Sequence, residues 1–106
     1  MSDLHDDFTP HIEWWLATLG DTLIWARLHV REAGTAEVFD ADGNTLAYDS
    51  PDTARAALMD AEFVSFDGLD EDDALHRGFS LREIAPPEGS DDELRGRMVR
   101  NLGARA

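Results

Sequence analysis

No cysteine and no lysine occur among the 106 residues. The first absence removes disulfides, thiolate nucleophiles and cysteine-ligated zinc or iron–sulfur centres. The second leaves nine arginines against 23 aspartates and glutamates, a formal charge of −14. A surface that negative repels phosphate backbones and anionic leaflets, so nucleic-acid binding and peripheral membrane attachment are disfavoured. Long apolar runs are missing too: no window approaches the 18 residues of a membrane span. The acidic start Met-Ser-Asp-Leu-His-Asp-Asp lacks the positive region of a secretory signal. A cytoplasmic protein is the expectation.

What is present is enough apolar material for one core. Hydrophobic residues make up 42% of the chain, including three tryptophans and five phenylalanines, and this length accommodates a single domain over 1–106. Residues 86–92 read as a flexible linker to a last helix.

Along the chain, Thr9 as N-cap, Pro10 in the first turn and Gly20 as stop predict a helix over 10–19. Phe8, Ile12, Trp15, Leu16 and Leu19 form its apolar stripe. Between 22 and 49 the period becomes two. Gly34 and Gly43 each sit where a three-residue hairpin loop requires a left-handed residue. That geometry pairs Val30 with Ala36, Leu28 with Val38, Val38 with Leu46 and Ala36 with Tyr48, and gathers Ile24, Ala26, Leu28, Val30, Ala36, Val38, Leu46 and Tyr48 on one apolar face. The other face carries Leu23, Trp25, Arg27, His29, Arg31, Glu37 and Phe39. Being amphipathic, it calls for a cover: the N-terminal helix, a second copy of the chain or a partner.

Ser50 caps a helix starting at Pro51, with Ala54, Ala57, Leu58 and Ala61 as a narrow stripe for the sheet. Residues 64–66 suit a short fourth strand, 69–77 an acidic helix stopped by Gly78, and 80–83 a brief capped helix. The capping box Ser90-x-x-Glu93 opens a last helix through Leu102. The fold class is therefore α+β: an antiparallel three- to four-stranded meander with a helix packed on one face and flanking N- and C-terminal helices.

Few constellations carry chemistry. Asp40-x-Asp42-x-Asn44 resembles the opening of an EF-hand calcium loop, but the sixth and twelfth positions fall on Thr45 and Pro51, and proline has no side-chain ligand. His5, Asp6, Asp7, His11 and Glu13 could converge on a divalent ion, although the acids are already explained as dipole partners of a helix start. His29 and Glu37, adjacent across strands, are the one pair suited to acid–base work. No nucleophile or phosphate cradle accompanies them, and GxSxG, HExxH and P-loop patterns are absent. No cofactor, metal or catalytic residue is assigned.

The strongest signal is charge. Asp60, Glu62, Asp67, Asp70, Glu71, Asp72 and Asp73 occur in fourteen residues without a base. Such a run either stays solvated or steers a basic protein. Inhibitors of nucleases or toxins, and proteins that imitate DNA's charge spacing, share this physical character. The expected function is a non-enzymatic interaction module that binds, and inhibits or recruits, a basic protein partner. Asp67, Asp70, Glu71, Asp72 and Asp73 are assigned to steering, with Trp25, Phe39 and Phe66 as anchors. Alternatives are a homodimeric accessory protein whose acidity reflects its host, and a small enzyme using His29 and Glu37. Arg95, Arg97, Arg100 and Arg105 form an opposite pole expected to pair with the acidic run, within the chain or across a dimer.

Overall fold

Residues 11–30 form one long hairpin in the computed structural model, which describes residues 10–102. Strand β1 (His11–Leu19) pairs with β2 (Thr22–Val30) in nine successive cross-strand pairs, from His11–Val30 to Leu19–Thr22. The expected helix over 10–19 is therefore a strand. Its turn is Gly20-Asp21, and Gly20 takes φ +61°, as the first central position of a two-residue hairpin loop requires. The spacing that suggests a helix arises because the middle of β1 is covered on both faces: Trp15 and Leu16 point to opposite sides and both are buried. The proposed N-cap Thr9 and the stripe residue Phe8 lie outside the described residues.

The next two strands, β3 (Ala36–Phe39) and β4 (Thr45–Tyr48), follow the register set by their glycines. Val30 pairs with Ala36, Leu28 with Val38, Val38 with Leu46 and Ala36 with Tyr48, as expected. Gly34 and Gly43 take φ of +88° and +87°, and each loop is closed by a backbone bond, Arg31 N–H to Thr35 O (2.9 Å) and Asp40 N–H to Asn44 O (3.0 Å).

Helix α1 (Pro51–Asp60) starts where Ser50 accepts the Thr53 N–H. Strand β5 (Val64–Ser65) then joins β1, followed by a 3-10 turn at Phe66–Gly68 and by α2 (Glu71–His76), whose chain reverses at Gly78 with φ +95°. The segment after Ser80 is a turn rather than a helix: the Glu83 N–H donates to the Ser80 carbonyl at 2.9 Å.

The last helix is also much shorter than expected. Its capping box is present, but α3 spans only Asp91–Leu94. Gly96 weakens any continuation, and the chain instead becomes β6 (Val99–Asn101), which pairs with Thr22–Ile24 of β2. Leu94, Met98 and Leu102 are all buried, one from a helical turn and the others from the bends on either side of β6. The sheet thus has six antiparallel strands, more than the three or four expected, ordered β4-β3-β2-β1-β5 with β6 beside β2. The architecture is α+β.

Both faces of this sheet are covered, giving three layers. On one face Trp15, Ala26, Leu28, Val30, Ala36 and Val38 pack with Ala54 and Leu58 of α1. On the other, Leu16, Leu23, Trp25 and Phe39 pack with Ala74, Phe79, Ile84, Leu94, Met98 and Leu102. The cover that the amphipathic face calls for is the chain's own C-terminal third. Among the described residues no helix is long and apolar enough to cross a membrane.

Candidate binding surface

The acidic run divides into carboxylates that build the fold and carboxylates that face solvent. Asp70 is the N-cap of α2, its Oδ1 accepting the Asp73 N–H at 2.8 Å. Glu71 reaches to the following loop and accepts from Ser80 Oγ at 3.0 Å and from the Leu81 N–H at 2.9 Å. Both residues assigned to steering are thus engaged internally, and Glu71 is half-buried. Glu71→Ala leaves two donors unpaired, a loss of about 2 kcal/mol. Faster amide exchange at Leu81 and Phe79, with little change at Val38 across the sheet, is the expected reading.

Asp67, Asp72 and Asp73 remain exposed. The last two also lie in the first turn of α2, where the positive end of the helix dipole favours them. Among the described residues no ion pair joins Arg95, Arg97 or Arg100 to the run. Arg97 donates to the Glu88 carbonyl at 2.7 Å and Arg100 to that of Glu83. Arg105 lies outside the described residues.

The aromatic anchors need correction. Trp25 and Phe39 are 2% and 3% exposed, because residues 66–102 cover the face that carries them. Phe66 is half-buried with its ring edge-on to Trp25 at 5.3 Å. The large apolar residues that do reach the surface include Leu46, Met59 and Leu75.

Other sequence candidates are also placed. His29 and Glu37 are cross-strand partners, but the Glu37 carboxylate accepts from Arg31 at 2.7 Å. Asp40 Oδ1 accepts the Asp42 and Asn44 N–H groups at 3.0 and 2.9 Å, so the Asp-x-Asp-x-Asn segment is a side-chain-stabilised turn. Arg27 stacks over Phe39, 5.0 Å from the ring centre, and pairs with Asp91 at 3.0 Å, which ties α3 to the sheet. Among the described residues no group of three or more His, Asp or Glu is arranged to hold a metal. His5, Asp6 and Asp7 lie outside them, and Glu13 is held by Arg55.

A second surface was not legible as a site. Between β4 and α1 opens a pocket of about 180 Å³, lined by Val38, Leu46, Tyr48, Ala57, Ala61 and Phe63 among others. Its cause is the alanine stripe of α1: at Ala57 and Ala61 the helix offers only methyl groups to the sheet, and the space beyond them stays open. Four exposed acids border it in sequence: Asp42 and Asp49 at the two ends of β4, Asp60 and Glu62 on either side of Ala61. Arg55 of the same helix is turned to Glu13 and Asp52.

Comparison with protein-family models, curated proteins and solved structures finds no match for this chain.

Proposed function

We propose that the protein is a non-catalytic acidic module that binds a basic protein partner and so inhibits or recruits it. One observation carries this reading: Asp67, Asp72 and Asp73 face solvent without an arginine among the described residues to neutralise them, while Arg27, Arg31 and Arg55 pair with Asp91, Glu37, Glu13 and Asp52. An uncompensated acidic surface raises the encounter rate with a cationic partner and rejects anionic ones. Leu75, exposed on the same helix, supplies an apolar contact that Trp25 and Phe39 cannot.

The test uses the partner recovered from the native host with the tagged full chain. A stoichiometric protein of high isoelectric point is expected, with an association rate that falls steeply as salt rises. Replacing Asp67, Asp72 and Asp73 together by asparagine should slow association by about 10- to 100-fold and change dissociation far less. Association insensitive to both salt and the triple substitution overturns the reading.

A further inference from the structure

We infer that β4 and α1 together form a receptor for one extended segment of a basic partner, which joins the sheet as an additional strand beside β4. The inference goes beyond the reading above, on which it rests for the partner's charge: it adds a second contact for the same basic partner, made by residues other than Asp67, Asp72 and Asp73.

β4 ends the sheet, and nothing among the described residues pairs with its outer side. Because Asp40 and Asn44 are hydrogen-bonded partners, the antiparallel alternation makes Val38–Leu46 and Ala36–Tyr48 the bonded pairs. The N–H and C=O groups of Thr45, Ala47 and Asp49 therefore point away from β3. Edge strands are usually blunted by proline, by charge, by a bulge or by being short, and of these β4 has only its shortness. The four residues Thr45-Leu46-Ala47-Tyr48 have no charge and no proline, so this edge is left able to pair.

The pocket supplies the second element. It lies on the α1 side of β4, the side to which Leu46 and Tyr48 point. Every second residue of an added strand faces that side, and about 180 Å³ suits one aliphatic or aromatic side chain. Backbone pairing then supplies affinity and the pocket supplies selection, as in other strand-addition sites.

Charge decides the occupant. Asp40 lines the groove, and the exposed Asp42, Asp49, Asp60 and Glu62 adjoin its lining segments in sequence. A second copy pairing through its own β4 would bring together two surfaces of the same negative sign in a chain of net charge −14, and that self-repulsion disfavours it. An extended segment alternating apolar and basic residues meets both requirements.

The experiment displays random decapeptides, selects those retained by the full-length chain and titrates a synthetic copy of the enriched sequence while amide resonances are followed. Alternation of apolar with Arg or Lys is expected in that sequence, with shifts and slowed exchange at Thr45, Ala47 and Asp49. Ala47→Pro removes only an outward-pointing N–H, so the fold should persist while affinity falls by at least about tenfold. Ala57→Leu fills the pocket without disfavouring the helix and should weaken binding comparably; it also serves as the test if Ala47→Pro fails to fold. The Asp67, Asp72 and Asp73 asparagine variant should bind the peptide within about twofold of the parent, since it alters a different surface. Failure to enrich peptides, binding untouched by Ala47→Pro and Ala57→Leu, or a homodimer that Ala47→Pro dissolves would each overturn the inference. If any of these occurs while salt-dependent capture of a basic protein persists and depends on Asp67, Asp72 and Asp73, the groove falls and the acidic module stands. Loss of both overturns both.

Discussion

Replacing Trp25 by alanine is expected to lower the unfolding free energy by about 3–5 kcal/mol, the range for emptying a large aromatic site in a packed core. A domain of this length has about 5–15 kcal/mol in total, so the variant should be marginal and its melting temperature reduced by roughly 15–30 °C. The size follows from position. Trp25 is fully enclosed, its ring lies edge-on to Trp14 at 5.9 Å and to Phe66 at 5.3 Å, and its backbone N–H, which alanine would retain, donates to the Met98 carbonyl at 2.8 Å. It joins the sheet, the 3-10 turn and the C-terminal layer at one point. Truncation should therefore loosen that layer first: exchange at Phe79, Met98 and Leu102 should accelerate more than at Leu28 or Val38, which lie in the core on the opposite face. Trp14→Ala, at a half-buried position, should cost about 1–2 kcal/mol. Urea titration of the variants measures the difference. A loss below about 1 kcal/mol for Trp25→Ala would show that the C-terminal layer does not close over this face.

That closure is also what the sequence pattern hides. Trp25 and Phe39 read as interface anchors because they alternate with Arg27, His29 and Glu37 on one strand face, and a half-polar face looks open until its cover is found. The cover is supplied by Phe79, Ile84, Leu94 and Met98, forty or more residues later than Phe39, from loop, a single-turn helix and a bend. No periodicity announces such a layer.

The two glycine hairpins are legible because a left-handed residue is needed at one place in each loop, and a one-residue slip would put polar side chains into the core. In β1 the same kind of signal is present and is overridden. Gly20-Asp21 between Leu19 and Thr22 is a two-residue hairpin loop, but Ile12, Trp15, Leu16 and Leu19 also match a helical stripe, and only the burial of both strand faces separates the two patterns. Capping signals locate the helix starts at Ser50 and Ser90, while the box at Ser80 closes only a turn. They carry no information on length, so α3 stops after one turn. The acidic run is visible as charge, while the internal engagement of Glu71, which sets it apart from Asp67, Asp72 and Asp73, requires the position of Ser80. The groove is the least visible feature, since a stripe of alanines signals close packing as readily as it leaves a gap.

Acidification should expose the contribution of a different carboxylate. Glu13 of β1 accepts from both Nε (3.1 Å) and Nη2 of Arg55 on α1, and also from the Trp15 indole N–H (3.2 Å) and from His11 (2.8 Å). The Arg55 hydrogen bonds outweigh the penalty of partial burial and hold the Glu13 pKa at about 2, against an ordinary 4.5, while the same pairing raises that of Arg55. A carboxyl that takes up its proton less readily folded than unfolded stabilises the fold above the unfolded value. That stabilisation is lost as pH falls from about 4.5 towards about 2. Allowing for solvent screening of a half-buried pair, it amounts to about 1–2 kcal/mol at neutral pH. Glu13→Gln keeps the shape and the carbonyl acceptor but not the charge, so it should be less stable than the parent by that amount at pH 7, and the gap should close as pH approaches 2. Comparing the two proteins isolates Glu13, because the other carboxylates titrate in both and their relief of self-repulsion at −14 cancels. Urea midpoints measured at pH 7, 4 and 2.5 give the gap directly. If it is unchanged across that range, the Glu13–Arg55 pair does not fasten α1 to the hairpin.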